Sequence, residues 1–289
     1  MVNRKLATRV AEQAMKTKNV KAFCRWFRRN ILPQIPVKDE RGTWRTYAKK
    51  FLKEMNAGRV PFNVFSPGNS KLTFVNFSTL PLVTCPGAGS CAKWCYSLKS
   101  WRYPAPFFRQ LQNTLLLRFR PDVVESEFLA IPSDTSEVRL YVDGDFESVE
   151  RLAWWMRIVA MRPDLDCYGY SKSWQEFLMF FNSGGQFPDN YTLNVSNGSI
   201  HDANQVLKDS ILALPCTRNE FAGVAIEGDF ARGFERYKDP AYHQAVRAAG
   251  QREFGRKVIS CPGQCDDCGH GRAMCANKSI DVPILIGIH

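Results

Sequence analysis

The feature of the sequence that most constrains the fold is a regular alternation of strand-like and helix-like segments from residue 60 onward. Short apolar runs rich in β-branched and aromatic residues alternate with longer runs that have helical periodicity. This alternation favours right-handed βαβ units and a parallel sheet or barrel. We therefore predict an α/β fold, in which about six parallel strands form a partial (β/α) barrel.

The predicted elements can be located by their sequence. The predicted strands are KLTFVNFSTL, EVRLYVDGDF, LDCYGYSKS, YTLNVSNGS, one of the two segments ILALPC and FAGVAIE, and finally VPILIGI. The predicted helices are APFFRQLQNTLLLRF, SVERLAWWMRIVAM, WQEFLMFFN and HDANQVLKD. Ser148 is the predicted N-cap of the second of these helices, because a serine hydroxyl can accept a hydrogen bond from a free amide of the first turn.

The pattern of apolar residues in the first 58 residues or so predicts helices and no strands. The segments VKAFCRWFRRNIL and TWRTYAKKFLKEM each place their apolar residues on one stripe, and Pro33 and Pro36 separate them. We therefore divide the chain into two parts. A basic helical region, residues 1–58, forms an N-terminal helical extension of a partial βα-barrel domain, residues 59–289, which has cysteine clusters at its N- and C-terminal ends.

The excess positive charge lies in the helical region. Residues 1–60 contain 16 Lys or Arg and 4 Asp or Glu, whereas the remainder contains 23 and 24, so the net charge of +11 comes from the first fifth of the chain. A basic helical face attracts nucleic acid through phosphate contacts. The predicted nucleic-acid-binding residues are Lys21, Arg25, Arg28, Arg29, Arg45, Lys49 and Lys50. The alternatives are an ordinary solvated face and an amphipathic face lying on a membrane surface.

The location expected for the chain bears on its ten cysteines. The sequence has no apolar run long enough to span a membrane and no secretory signal, so we expect a cytoplasmic protein without a membrane partner. Disulfides are rare in the reducing cytosol, where clustered cysteines favour metal binding or catalysis. Seven cysteines form two clusters, whereas Cys24, Cys167 and Cys216 stand alone and are assigned to packing.

The first cluster, Cys85, Cys91 and Cys95, lies in TCPGAGSCAKWCYS, directly after a predicted strand. Three thiolates can hold three irons of a [4Fe–4S] cluster and leave the fourth iron open to a ligand. Pro86 and the glycines of this loop favour the tight turns that bring thiolates together.

The second cluster is formed by Cys261, Cys265, Cys268 and Cys275. Four cysteine ligands close a site, which predicts an auxiliary [4Fe–4S] cluster or, alternatively, a structural Zn. Two residues within this loop, His270 and Arg272, are candidate partners of the sulfurs, and His270 is also an alternative Zn ligand. A further alternative is that cysteines of both clusters converge on one metal.

Polar or small residues follow four of the predicted strands, in the segments TCPGAG, VDGDFES, YSKS and VSNGS. Ligands of βα folds gather at the carboxyl ends of the strands, so these segments predict one shared site. The acids Asp143, Asp145 and Glu147 in the second segment are also candidate Mg²⁺ ligands for phosphodiester chemistry.

A cysteine loop after the first strand of a partial barrel, with Trp94 directly before its last cysteine, resembles the radical S-adenosylmethionine superfamily. The resemblance implies a [4Fe–4S] cluster whose open iron binds S-adenosylmethionine. It also implies cofactor-binding roles for Gly144, Asp145 and Glu147 in place of a Gly-Gly-Glu motif, and for Ser196 and Asn197 beside the ribose. The loop departs from the superfamily pattern, because five and three residues separate its cysteines instead of three and two.

A narrower resemblance covers most of the chain after residue 60. The segments TCPGAGSCAKWCYSLK, RLYVDGDFES and YGYSKS resemble the phage-encoded "gene product 88" family of mobile-element proteins. The resemblance implies a phage or plasmid origin and a pairing of the two cysteine motifs, but it implies no reaction.

Together these features predict an iron–sulfur protein resembling radical S-adenosylmethionine enzymes, which acts on or with nucleic acid in a phage or plasmid context. The alternative is a DNA-binding protein of a mobile element, stabilised by Fe–S or Zn, that serves replication or regulation without S-adenosylmethionine chemistry.

Overall fold

Parallel strands form a half-barrel sheet in the computed structural model, which describes residues 4–36, 43–68, 74–231, 233, 235–263, 265, 268 and 273–288, with only the backbone of residue 94. Within this described part the sheet has seven strands: β1 (Val75–Asn76), β2 (Glu137–Leu140), β3 (Asp166–Ser171), β4 (Tyr191–Ser196), β5 (Thr217–Ala225), β6 (Ile259–Ser260) and β7 (Ile284–Ile288). Their order across the sheet is β1-β2-β3-β4-β5-β7-β6.

The α/β fold and the partial barrel predicted from the sequence are confirmed. The fifth strand lies at the FAGVAIE position, whereas most of ILALPC forms the end of a helix and the turn that follows it. The additional strand, β6, has two residues and pairs at the edge of the sheet with β7. A strand this short has no alternation of apolar and polar residues by which the sequence could predict it.

Helices cover the sheet and extend it at the N-terminus. They are α1 (Arg4–Lys16), α2 (Val20–Asn30), α3 (Thr43–Asn56), α4 (Cys91–Trp94), α5 (Pro104–Phe119), α6 (Pro121–Leu129), α7 (Val149–Ala160), α8 (Trp174–Asn182), α9 (Gln205–Leu212) and α10 (Pro240–Phe254). Short 3₁₀ helices span Leu32–Gln34, Tyr96–Arg102, Glu235–Lys238 and Met274–Ala276. None of the helices in the described ranges is long and apolar enough to cross a membrane.

The helix α7 shows how local sequence places these elements. The hydroxyl of Ser148 accepts a hydrogen bond from the amide of Arg151 at 3.2 Å, which confirms the predicted N-cap. Trp155 on the buried face of this helix packs edge-on against Phe77, with 5.1 Å between the ring centroids. The helix therefore begins at its capping residue and holds the β1 side of the sheet through its aromatic face.

The N-terminal helices pack directly on α5, the helix that follows the first cysteine loop. Phe27, Trp44 and Phe51 each contact Phe108, with ring centroids 6.1, 5.9 and 5.5 Å apart. The boundary after residue 58 stays a prediction, and the helices on its two sides share one continuous core.

Replacing Phe108 by Ala should lower the free energy of unfolding by about 3–5 kcal/mol, because it removes a buried ring between α5 and the N-terminal helices. Urea denaturation measures this change. Val206→Ala, at a side chain that is 78% exposed on α9, is the control and should have little effect. A loss of less than about 1 kcal/mol for Phe108→Ala would contradict this packing.

Candidate functional site

The first cysteine cluster lines a cavity at the carboxyl edge of the sheet. Cys85, Cys91 and Cys95 face it from the loop after β1, and the ends of β3 and β4 contribute Lys172 and Ser196. The cavity has a volume of about 130 Å³, which is smaller than the roughly 300–1,000 Å³ typical of sites for drug-sized ligands. The sequence prediction that these strand ends share one site agrees with this arrangement.

Glycines hold the cysteine loop against the neighbouring strand ends. A Cβ atom at Gly87 would lie 1.7 Å from the carbonyl oxygen of Lys172, and one at Gly89 would lie 2.5 Å from that of Ser199. The amide of Ile200 donates to the Gly87 carbonyl at 3.0 Å, and the amide of Gly89 donates to the Gly198 carbonyl at 3.0 Å. Backbone thus packs on backbone, at a distance that only glycine allows.

Burial makes two of the cavity thiols, those of Cys85 and Cys91, poor anions in the absence of a metal. It raises the pKa of Cys85, which Asp145 raises further, and it also raises the pKa of Cys91. Lys172 lowers the pKa of both thiols but does not reverse the shifts. At neutral pH the two unligated side chains are therefore thiols, and a metal that binds them must displace their protons.

The spacing of the thiols bears on what they can hold. Among the residues whose side chains the structure describes, no three His, Cys, Asp or Glu are placed to share a single metal ion. Thiolates bound to one zinc each lie about 2.3 Å from it and therefore close to one another. In a [4Fe–4S] cluster each thiolate binds a different iron, so the thiols have only to surround a common space. Three thiols around one cavity are compatible with this requirement of a [4Fe–4S] cluster.

Asp145 lies at the cavity, but its carboxylate is occupied by the protein itself. It accepts hydrogen bonds from the amide of Phe146 at 2.8 Å, the hydroxyl of Ser171 at 2.7 Å and the amide of Lys172 at 2.8 Å. Burial raises the pKa of Asp145, and these donors act against that shift. Gly144 beside it has φ +87° and lies against Thr79, where a Cβ atom would be 2.0 Å from the threonine hydroxyl. Both residues thus fix the end of β2 to its surroundings.

The two other acids of the predicted group take different positions. Glu147 is not among the residues that line the cavity; its carboxylate accepts from Arg151 at 2.9 Å and from the Tyr141 hydroxyl at 3.3 Å. Asp143 accepts from Gln110 at 2.8 Å, and burial raises its pKa. The three carboxylates therefore bind different partners within the protein.

Ser196 and Asn197 both line the cavity, as the predicted role beside a cofactor requires. Ser196 accepts a hydrogen bond from the ammonium group of Lys172 at 2.7 Å. The amide side chain of Asn197 instead pairs with the backbone of Gly223, with both hydrogen bonds at 3.0 Å. Lys172 and Ser196 are therefore better placed than Asn197 to contact a ligand.

Two residues on the cavity wall have strained backbone. Leu82 has φ +70° and Tyr141 has φ +53°, and both line the first cavity. Such conformations are costly for side chains of this size, and they concentrate at functional sites. No sequence signal identified either residue.

The second cluster lines a cavity of its own. Cys261, Cys265, Cys268 and Cys275 all face it, and no cysteine among the described lining residues faces both cavities. Cys275 is buried, which raises the pKa of its thiol to about 12. Met274 donates its amide to the Cys268 sulfur at 3.4 Å. The predicted sulfur partners His270 and Arg272 lie outside the described residues.

Arginines surround the second cluster, a feature that sequence reasoning missed. Arg139 is electrostatically coupled to Cys265, Arg236 to Cys261 and Arg218 to Cys275. The buried Nε atoms of Arg139 and Arg236 have no hydrogen-bond partner within the described part of the chain. The donor set thus suits an anionic metal–thiolate group, whose charge these cations would offset.

The two cavities meet at a shared wall. Arg139 and Tyr170 line both of them, and the guanidinium lies over the Tyr170 ring at 4.3 Å. Burial alone would lower the pKa of Arg139, but Tyr170 and other neighbouring phenols, together with Cys265, raise it. The hydroxyl of Tyr170 lowers the pKa of the Cys275 thiol, against the effect of burial. One ring therefore contacts the second cluster and borders the first cavity.

The basic residues predicted to bind nucleic acid lie apart from these cavities, on α2 and α3. Six of them are exposed: Lys21, Arg25, Arg28, Arg29, Lys49 and Lys50. Arg45 is instead half-buried and donates to the carbonyl of Ile35 at 2.8 Å, so it holds the turn after α2.

A family model for gene product 88 matches residues 44–273, which is most of the chain. The chain belongs to the gene product 88 family. No curated protein and no solved structure matches it. The gene product 88 match contains the first cysteine loop and reaches Cys268, but it ends before Cys275 and begins after α2. The exposed basic residues of α2 therefore lie outside the region that the gene product 88 model describes.

Replacing Gly87 by Ala should displace the cysteine loop, because the new Cβ atom would collide with the Lys172 carbonyl. Cys85 should then be alkylated several-fold faster in reduced, metal-free protein, and stability should fall by about 1–3 kcal/mol. Mass spectrometry after a pulse of iodoacetamide measures the alkylation. Gly58→Ala is the control: its backbone, at φ +75°, is strained by a side chain, but no atom lies within 4 Å of the new Cβ, so it should cost stability and leave Cys85 as slow as in the wild type. Unchanged alkylation in Gly87→Ala would mean that this contact does not hold the loop.

Proposed function

We propose that the chain is an iron–sulfur enzyme that uses S-adenosylmethionine at its first cavity. The proposal rests on one observation: three cysteines of one loop, without a fourth cysteine among the described lining residues, face a cavity at the carboxyl edge of a parallel half-barrel. Three thiolates leave one iron of a [4Fe–4S] cluster open, and an open metal position is what a reactive cofactor needs.

Cys85, Cys91 and Cys95 would hold the cluster in this proposal. When bound, it supplies the electron for reductive cleavage of S-adenosylmethionine. Lys172 and Ser196 would contact the polar groups of the cofactor from the cavity wall, since Lys172 is a cation and a cofactor carboxylate is its natural partner. Asp145 would position the backbone of Lys172 through its hydrogen bonds rather than bind the cofactor itself.

Cys261, Cys265, Cys268 and Cys275 would hold a second metal group, which we propose is an auxiliary [4Fe–4S] cluster. A single Zn, the alternative, would require these thiols to move together, since no three of the described side chains are placed to share one metal ion. Four thiolates give both groups a net negative charge, and Arg139, Arg218 and Arg236 are placed to balance it. Positively charged neighbours and hydrogen bonds to sulfur adjust the reduction potential of a cluster.

Single Cys→Ala variants should separate the two metal sites. If both sites hold [4Fe–4S] clusters, Cys85→Ala and Cys275→Ala should each lose about four of about eight irons per chain after anaerobic purification. If the second site holds Zn, Cys85→Ala should lose all iron and keep its Zn. Metal and sulfide analysis with the absorbance near roughly 400 nm measures both outcomes.

The matched control is Cys24→Ala, which removes a buried cysteine on the inner face of α2 that lines neither cavity. It should retain the wild-type iron content. Colourless wild-type protein with stoichiometric zinc would refute the proposal. So would an iron-loaded protein that forms no 5′-deoxyadenosine when it is reduced with S-adenosylmethionine.

The second candidate function is a metal-stabilised DNA-binding protein of a phage or plasmid, acting in replication or regulation without S-adenosylmethionine chemistry. The exposed basic residues of α2 favour it, since Lys21, Arg25, Arg28 and Arg29 lie on one short helix. The same surface would serve an enzyme that acts on nucleic acid, so the two candidates share this partner.

The triple variant Arg25→Gln, Arg28→Gln, Arg29→Gln should weaken duplex DNA binding and reduce the slope of log K against log salt by up to about 3, because each arginine that contacts a phosphate releases counterions. Fluorescence anisotropy at several salt concentrations measures this slope. The control removes three exposed charges elsewhere, at Arg247, Arg252 and Lys257. Equal slopes in the two triple variants would contradict a role for α2. Deletion of residues 1–58 is a poorer test, because it would uncover Phe107 and Phe108.

A further inference from the structure

The sequence around the first cysteine loop is unusually free of acidic residues. Residues 55–121 contain eight Lys or Arg and no Asp or Glu. Some of these cations are neutralised by acids outside the stretch: Arg59 pairs with Glu54 and Arg120 with Asp122. Within the described residues, Lys93, Lys99 and Arg102 form no ion pair, and all three are exposed. The cysteine loop and the helix that follows it therefore carry three exposed cations.

The 3₁₀ helix Tyr96–Arg102 arranges part of this charge in a row. A 3₁₀ helix has three residues per turn, so residues three apart lie on the same side, about 6 Å from one another along its axis. Tyr96, Lys99 and Arg102 are spaced in this way and all are exposed, whereas Leu98 and Trp101 on another side are buried. The seven-residue length of this helix is unusual for its type, which tends to stop after three or four.

Exposed tyrosines stand at both ends of the row. Tyr96 is 56% exposed and Tyr103, directly after Arg102, is 57% exposed. Exposed rings beside Lys and Arg are the composition of surfaces that stack nucleic-acid bases and bind phosphates. Stacking needs bases that are free of a duplex, so this composition favours a single strand.

The row leads into the cavities. Tyr96 lines both of them and Lys99 lines the second, while Arg139 and Arg236 stand on the inner wall with unpartnered Nε atoms. The described residues that line the second cavity include no Asp or Glu. A phosphate that left the row would therefore meet no carboxylate on this wall of described residues. An enzyme that modifies a base must take it out of the stack, and a cavity beside a stacking surface meets that need.

We propose that Tyr96, Lys99, Arg102 and Tyr103 form a stacking row that binds single-stranded nucleic acid and directs one nucleotide toward the cysteine cavities. The claim that the bound strand is a substrate rests on the proposed function, whereas binding to the row needs no metal cofactor. This row is separate from the basic residues of α2 and lies within the gene product 88 match.

The test is fluorescence anisotropy of a labelled single-stranded oligothymidine and of a duplex of equal length, with the full-length chain purified anaerobically. The wild type should bind the single strand more tightly than the duplex, with an affinity that falls steeply as salt rises. The triple variant Lys99→Gln, Arg102→Gln, Tyr103→Ala should bind the single strand at least about tenfold more weakly, since it loses two phosphate contacts and one stacked base.

Two further variants test whether a loss of binding comes from the row itself or from a loss of folding. Lys99→Arg, Arg102→Lys, Tyr103→Phe conserves charge and ring, and should bind as the wild type does. Arg247→Gln, Arg252→Gln, Phe181→Ala removes two exposed charges and one exposed ring elsewhere, and should also bind normally. Circular dichroism and metal content should be unchanged in all three variants.

Equal affinity for duplex and single strand would overturn the proposal, as would wild-type binding by the Lys99, Arg102 and Tyr103 loss variant. Competition by polyglutamate as effective as that by unlabelled oligonucleotide would identify an acidic protein as the ligand instead, and would also overturn it. If the chain carries no iron or forms no 5′-deoxyadenosine but the row still binds a single strand, the proposed function fails and the binding row stands.

Discussion

The candidate site depends on a contact between backbones at Gly87. A side chain there would collide with the Lys172 carbonyl, so the cysteine loop can reach the strand ends only through glycine. The same loop is hydrogen-bonded to the segment after β4, through Gly87 with Ile200 and through Gly89 with Gly198. Because the loop is fixed to the ends of two neighbouring strands, the positions of its thiols are set by the sheet itself. Ligands held by rigid elements are placed more accurately than ligands on free loops.

Asp145 extends this arrangement to a third strand end. Its carboxylate binds the hydroxyl of Ser171 and the amide of Lys172, so the turn after β2 is tied to the end of β3. Burying a carboxylate is costly unless donors compensate it, and three donors surround this one. A motif that resembles a cofactor-binding sequence thus has its polar atoms already satisfied. The group left to face a ligand is the ammonium of Lys172, which Asp145 helps to position.

The sequence predicted the parts of this molecule that repeat or follow local rules. The alternation of segments predicted the parallel sheet, the capping preference of Ser148 predicted the start of α7, and the polar strand ends predicted a shared edge. It did not predict the arginines around the second cysteine cluster. In the sequence, Arg139 is a single polar residue between Val138 and Leu140. Only the curvature of the half-barrel places this side of the strand toward the cavities. Arg236 lies on a short 3₁₀ helix whose place relative to Cys261 depends on long-range packing.

The shared wall between the cavities implies that the two cysteine clusters do not act independently. Tyr170 lines the second cavity together with Cys275, borders the first cavity on its other side, and has the Arg139 guanidinium over its ring. An anion that entered the first cavity would interact with Arg139, whose pKa Cys265 also raises. In a buried setting with reduced screening, such a change alters the electrostatic environment of the second cluster. If the two cavities hold the proposed groups, ligand binding at one and the properties of the metal group at the other would be coupled through one cation and the ring beneath it.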